Sequence, residues 1–190
     1  MPAIPRPPQA PYRREGDTWL IEIRLHELRQ LFHTLDPAPF HEKDLDPEAA
    51  QYLEDAVREI GPRRALKLLV HLPRAAAESA DARGLADSLA NYFRYRAGQC
   101  RVDLRRLLTR GAMSLVIGGA FLGLCLSLRS SLLAGGAASE VLTEGLLIIG
   151  WVGLWRPVEI FLYDWWPIWR QRRRFDALAR AQVAVESVAG

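Results

Sequence analysis

Two apolar runs late in the chain constrain its fold more than any other feature. The first, Gly111 to Leu128, carries no charge for eighteen residues. Extended to Leu133 it matches a hydrocarbon core about 30 Å thick, provided Arg129 snorkels to the outer interface. The second run is punctuated by Glu140, Glu144, Arg156, Glu159 and Asp164, and only the eleven residues Gly145 to Trp155 are uncharged. Eleven residues are too few to cross a bilayer. Either the helix spans residues 141–163 with Arg156 and Glu159 inside, or it spans 137–155 and the remainder lies along the surface. The first reading is favoured, because Trp165, Trp166 and Trp169 form an interfacial belt followed directly by Arg170, Arg172, Arg173 and Arg174.

Charges inside an apolar helix need partners. Each costs about 2.5–3.5 kcal/mol at the centre of an inserted helix, and Arg156 and Glu159 stand three apart, on one face, where they neutralise each other. Glu144, Arg156, Glu159 and Asp164 are therefore the candidate intramembrane polar residues. Pro157 removes the donor that would bond the carbonyl of Gly153, so a kink is expected beside Arg156, with a freed carbonyl available to a polar site. In the first run, Gly119 and Gly123 have the four-residue spacing of a close helix contact, as do Ser114 and Gly118.

Orientation follows from the basic residues. Arg96, Arg101, Arg105, Arg106 and Arg110 precede the first span, Arg170 to Arg174 and Arg180 follow the second, and Arg129 is the single basic residue between. Basic flanks face the cytoplasm, which predicts both termini inside, a short external loop at 134–140, and a bacterial inner-membrane location. Concentration of arginine at these flanks assigns the net charge of +3 to orientation and to anionic lipid headgroups, with Arg170, Arg172, Arg173 and Arg174 the headgroup candidates, and not to nucleic acid. Five prolines in the first eleven residues, with no apolar core, mark residues 1–17 as a disordered tail and not a signal peptide. The two cysteines, Cys100 and Cys125, are expected to be reduced.

Residues 18–110 read as a small cytoplasmic α/β domain with a connecting helix. Trp19, Ile21, Ile23 and Leu25 alternate with Leu20, Glu22, Arg24 and His26, the period of a half-buried strand. Asp46-Pro47-Glu48 is a helix start and Gly61-Pro62 a stop, so residues 47–60 are predicted helical. Ala65 to Leu72 reads as a second, more buried strand. A stripe from Leu85 through Leu89 and Phe93 to Cys100 and Leu107 predicts a long amphipathic helix leading into the first span, with Gly84 and Gly98 as weak points. Within residues 164–190, a Trp/Arg-rich segment precedes an alternating QVAVESV that suits a helix or a third strand. The fold class is thus an α+β membrane protein: two or three strands, one helix, and a long helix entering a transmembrane hairpin at 111–133 and 141–163. So small a sheet leaves exposed edges, and self-association as a homo-oligomer is the simplest remedy.

Two blocks, LDPAPFHEKDLDPEA and GWVGLWRPVEIFLYDWWP, resemble near-identical DP-PF-EKDLD and WRP-EIFLYDWWP blocks in a set of uncharacterised bacterial two-transmembrane-helix membrane proteins. The similarity covers most of the chain after Thr18. It implies the same topology and draws attention to these blocks, and it carries no mechanism.

His33, Asp36, His41 and Asp44, with Glu42 and Asp46 nearby, crowd a short segment in which imidazole and carboxylate can hold a divalent metal. The spacing fits no established metal pattern, and turn and cap chemistry before Pro37 and Pro47 accounts for Asp36 and Asp46 without one. No phosphate loop, HExxH, GxSxG, CxxC pair or dinucleotide fingerprint occurs, so neither a catalytic residue nor a cofactor is assigned. The function read from the sequence is an oligomeric membrane anchor or scaffold, with membrane lipids and an unidentified cytoplasmic protein as partners. The alternatives are a small ion or solute conduit and, third, a membrane-tethered metal-dependent enzyme.

Overall fold

The computed structural model describes residues 12–32, 44–78, 80–132 and 138–188. The chain divides into two compact units: one takes the chain up to Gln99 together with Gln171 onward, and the other is Cys100–Arg170. The class is mixed, with a four-stranded sheet and long helices.

In the first unit, β1 (Arg14–Glu15) turns back antiparallel onto β2 (Thr18–Arg24), while β3 (Ala65–Pro73) pairs in parallel with β2 on one side and with β4 (Gln182–Val188) on the other. The register sets Ile21 beside Leu68 and Leu68 beside Val183, so apolar side chains continue across three strands on one face. The strands expected from alternation are therefore present. An extra one, β1, falls inside the segment assigned to the tail, so ordered structure begins before Thr18. A two-residue strand has no period to read; Gly16, at φ 58°, makes its turn, and Lys67 pairs with Glu15 at 3.2 Å across the sheet.

Parallel neighbours require crossovers. The first is α1 (Pro47–Ile60), whose start is capped by Asp46, its Oδ1 accepting from the backbone N–H of Glu48 at 2.9 Å and of Ala49 at 3.3 Å. Gly61, at φ 104°, ends it. Leu53, Ala56, Val57 and Ile60 form its buried stripe. The second crossover, from β3 to β4, holds the short α2 (Arg74–Ala77), α3 (Ala80–Leu132) and the helices that follow. Leu85, Leu89 and Phe93 of α3 are buried, Phe93 stacks on Phe175 at 6.1 Å between ring centroids, and Arg174 meets Glu54 of α1 at 2.6 Å.

The α3 helix runs 53 residues without a break. Gly84 and Gly98 do not interrupt it. Each costs about 1 kcal/mol relative to alanine, less than the burial of any one of Leu85, Leu89 or Phe93 contributes. Cys100 and Cys125 are both buried and lie far apart along this one helix, so no disulfide joins them.

In the second unit, α3 is followed by α4 (Ala138–Val152), α5 (Trp155–Glu159), a wide turn at Ile160–Asp164 with longer-range helical bonding, and α6 (Trp165–Leu178). Two helices are long and apolar enough to cross a membrane. They meet along Gly111, Gly118 and Cys125, spaced by seven residues. A Cβ at Gly111 would come within 2.8 Å of the Ile160 side chain, one at Gly118 would fall onto the Gly153 carbonyl, and one at Gly150 would approach the Cys125 Cβ to 3.2 Å. Gly119 and Gly123 have open space beside them. The seam between these helices therefore includes Gly118, while the Gly119/Gly123 face lies beside open space.

Candidate functional site

The polar centre of the second unit is built by an interruption. Pro157 has no N–H, and the helix opens four residues earlier: α4 ends at Val152, the N–H of Gly153 still reaches the Ile149 carbonyl at 3.3 Å, and the N–H of Leu154 turns to Trp151 at 3.0 Å. The carbonyl of Gly153 faces the bare Cα of Gly118. It was expected to share a site with Arg156 and Glu159, but the close approach of α3 turns it to the seam instead.

Arg156 faces elsewhere. Its guanidinium lies 3.1 Å from Glu159 and 3.2 Å from Asp164, and the indole N–H of Trp155 donates to the second oxygen of Glu159 at 3.0 Å. On a regular 3.6-residue helix an eight-residue step ends about 80° from its start, so Asp164 would miss Arg156. The wide turn at Ile160–Asp164 brings it back. The face behind this triad is apolar: Pro157 and Ile160 are buried, Ile160 against Gly111. Side-chain exposures of 60% for Arg156, 40% for Glu159 and 33% for Asp164 place the triad on the outside of its unit. One guanidinium against two carboxylates leaves a formal charge of −1. The pair foreseen at Arg156 and Glu159 forms, Asp164 joins it, and Glu144 lies apart on α4.

The arginine block does not act as one surface. Successive residues are about 100° apart round a helix, so four near-consecutive arginines point four ways. Arg170 lies over the Trp166 ring at 5.2 Å, Arg172 is 3.6 Å from Asp176, Arg173 lines a cavity of the sheet unit, and Arg174 is four-fifths buried on Glu54. The tryptophans cluster as expected, Trp166 stacking on Trp169 at 5.1 Å with Trp165 edge-on.

Of the metal candidates, His33, Asp36 and His41 lie outside the described residues, as does Glu42. Asp44 borders an open cavity of about 660 Å³ with Glu54, Arg58, Tyr92 and Arg96. Burial raises the Tyr92 phenol above its ordinary range, and the charge of Arg96 pulls the other way. Among the described residues, no three His, Cys, Asp or Glu side chains are grouped for a metal.

The sequence reading missed His71, which sits at the centre of the sheet with Glu22 at 3.5 Å on β2 and Glu186 at 3.7 Å on β4. Its alternation with Leu68, Val70 and Leu72 placed it on the polar face; only the parallel register puts a carboxylate on each side.

No protein-family profile, curated protein or solved structure matches the chain.

Proposed function

We propose that the chain is an integral membrane protein that spans the bilayer twice and acts as an oligomeric anchor, holding the sheet unit at the cytoplasmic face of a bacterial inner membrane. The observation that carries this reading is the exposed surface of the second unit. Met113, Val116, Ile117, Leu124, Ile148, Ile149, Val152 and Leu162 are all more than half exposed, an apolar surface that monomeric soluble proteins rarely present. The parallel pairing of β3 with β4 supports the topology. The chain leaves one sheet at Pro73 and returns to it at Gln182, so an even number of crossings lies between. Arginine placement independently supports the same arrangement, with both termini on one side.

Oligomerisation is supported by the outward triad. A cluster of formal charge −1 facing acyl chains is costly even when paired, and a second copy over it removes it from lipid. The open Gly119/Gly123 face offers the close approach that such packing uses. The test is native mass spectrometry of the full chain released from lipid nanodiscs. The reading expects one defined assembly of two or more copies, dissociating when Gly119 and Gly123 are both replaced by isoleucine. A strictly monomeric wild type would overturn it.

A conduit is the second reading, favoured by the same triad, because copies arranged with Arg156 inward would line a polar path. It requires conductance across a planar bilayer that Arg156→Ala abolishes.

A further inference from the structure

We propose that α3 binds the phosphodiester headgroups of anionic phospholipids through Arg105, Arg106 and Arg110, just before its charge-free run. The inference rests on the anchoring reading and names the lipid class that the anchored chain gathers round itself.

The packing of α3 decides where these side chains point. Between Cys100 and Gly111 its least exposed positions are Cys100, Leu104, Leu107 and Gly111, spaced by three and four, so they form one stripe. Successive residues turn by about 100°, which sends Arg105 to one side of that stripe and Arg106 and Arg110 to the other, the last two about one turn apart. All three are exposed. Arg105 and Arg110 form no ion pair among the described residues, and Arg106 comes only to 3.9 Å from Asp103. The later arginines are engaged otherwise: Arg170 lies on the Trp166 ring, Arg172 beside Asp176, and Arg174 on Glu54.

Depth is fixed by a contact. The eighteen uncharged residues that begin at Gly111 rise about 27 Å, nearly the thickness of the hydrocarbon core, so Gly111 marks one boundary of that core. Gly111 meets Ile160 of the antiparallel helix. Counted outward from this level, Arg110 lies about 1.5 Å away and Arg106 and Arg105 about 8–9 Å. The headgroup layer is about 5–8 Å deep on each side of the core, so the three guanidiniums span it. Trp165, five residues beyond Ile160, lies no more than about 8 Å outside the same level, and its ring meets that of Trp166. Indoles and arginines therefore share a depth, the one that aromatic belts take at a membrane surface.

Orientation alone needs positive charge and no particular ligand, and the partnered arginines of α6 would serve it as well. Exposed, unpartnered forks at headgroup depth do more. A phosphodiester is a monoanion whose oxygens accept paired bonds from a guanidinium. In residues 100–110 and 156–170, three carboxylates stand against six arginines, the four of α3 with Arg156 and Arg170, so three positive charges are left over. This surplus attracts the phosphate and repels the ammonium that a zwitterionic lipid carries beside it. Each arginine near an anionic surface strengthens the attraction about fivefold.

The test places the full chain in nanodiscs of phosphatidylcholine and phosphatidylglycerol and counts the lipids retained by native mass spectrometry, which tells the two apart. Phosphatidylglycerol is expected in excess of its share of the bilayer. Arg105→Gln with Arg110→Gln lowers that excess about tenfold or more, and Arg105→Lys with Arg110→Lys, which keeps the charge but not the fork, lowers it by less. Arg172→Gln, beside Asp176, leaves it unchanged. A chain that does not enter nanodiscs would overturn the anchoring reading and this one with it. A chain that enters them and retains the two lipids in their bulk ratio, or whose glutamine pair retains as much phosphatidylglycerol as wild type, would overturn this one alone.

Discussion

Gly118 and Gly119 are neighbours on one helix, and replacing each with alanine separates the packing of the hairpin from the intrinsic preference of the chain. Both substitutions gain helix propensity, about 1 kcal/mol. They differ in what the new methyl meets: at Gly118 it falls onto the Gly153 carbonyl, with Leu154 at 3.3 Å, whereas at Gly119 nothing lies within 4 Å. The obstacle at Gly118 is backbone and cannot rotate away, so the two helices must part. Forced overpacking of this kind costs about 1–3 kcal/mol, and the upper half of that range applies because the two nearest atoms, the oxygen and carbon of the Gly153 carbonyl, are backbone. The propensity term cancels in the difference between variants. With copies dissociated from one another, Gly119→Ala is therefore expected to equal or exceed wild type, with Gly118→Ala about 2–3 kcal/mol less stable than Gly119→Ala. Unfolding in mixed micelles, followed by far-ultraviolet circular dichroism on both variants in parallel, measures this directly. Equal stability of the two would refute the seam, and the reverse order would move it to the Gly119/Gly123 face.

Two further predictions bear on single contacts. Gly150→Cys places a new Cβ 3.2 Å from that of Cys125, somewhat closer than the separation of about 3.5–4.5 Å in disulfide bridges, so a small parting of the helices and rotation of the Leu122 side-chain end, 2.7 Å away, bring the pair into bridging range. Mild oxidation should then give an intramolecular bridge, read as a reducible mobility shift in a Cys100→Ala background, and an exclusively intermolecular product would contradict the pairing of α3 with α4. Arg174→Ala leaves Glu54 largely buried without its guanidinium, at a cost of about 3 kcal/mol, the low end for a buried pair because each side chain is still about one-fifth exposed. Arg170→Ala should change stability by less than about 0.5 kcal/mol. Thermal unfolding of the two variants side by side checks the contrast, and equal losses would mean that the block is a uniform headgroup surface.

Periodicity and end signals made much of this fold readable. Asp46-Pro47 and Gly61-Pro62 bracket α1 because cap and stop chemistry is local, and Ala65 to Pro73 and Gln182 to Val188 alternate because a sheet face is buried. Features that depend on distant partners were not readable. Nothing near Gly118 in sequence distinguishes it from Gly119; the choice is made by Gly153 on another helix. Arg174 looks like its neighbours until Glu54, 120 residues away, takes it out of the block. Asp164 joins Arg156 because the turn at Ile160–Asp164 is wider than a regular helix, and one-dimensional spacing at 3.6 residues per turn excludes that pairing. Arg63 and Arg64 pass as ordinary loop charges until α6 brings Arg173 and Arg180 opposite them.

The central claim is a double crossing that returns the chain to its own sheet. Reporter fusions at each terminus, with an epitope inserted between residues 133 and 137, test it in intact bacterial cells and spheroplasts. The account predicts that both terminal reporters are active only in the cytoplasm, that the epitope is reached from outside, and that the chain leaves the membrane fraction only with detergent. Termini on opposite faces, or a chain recovered in the aqueous fraction, would contradict it.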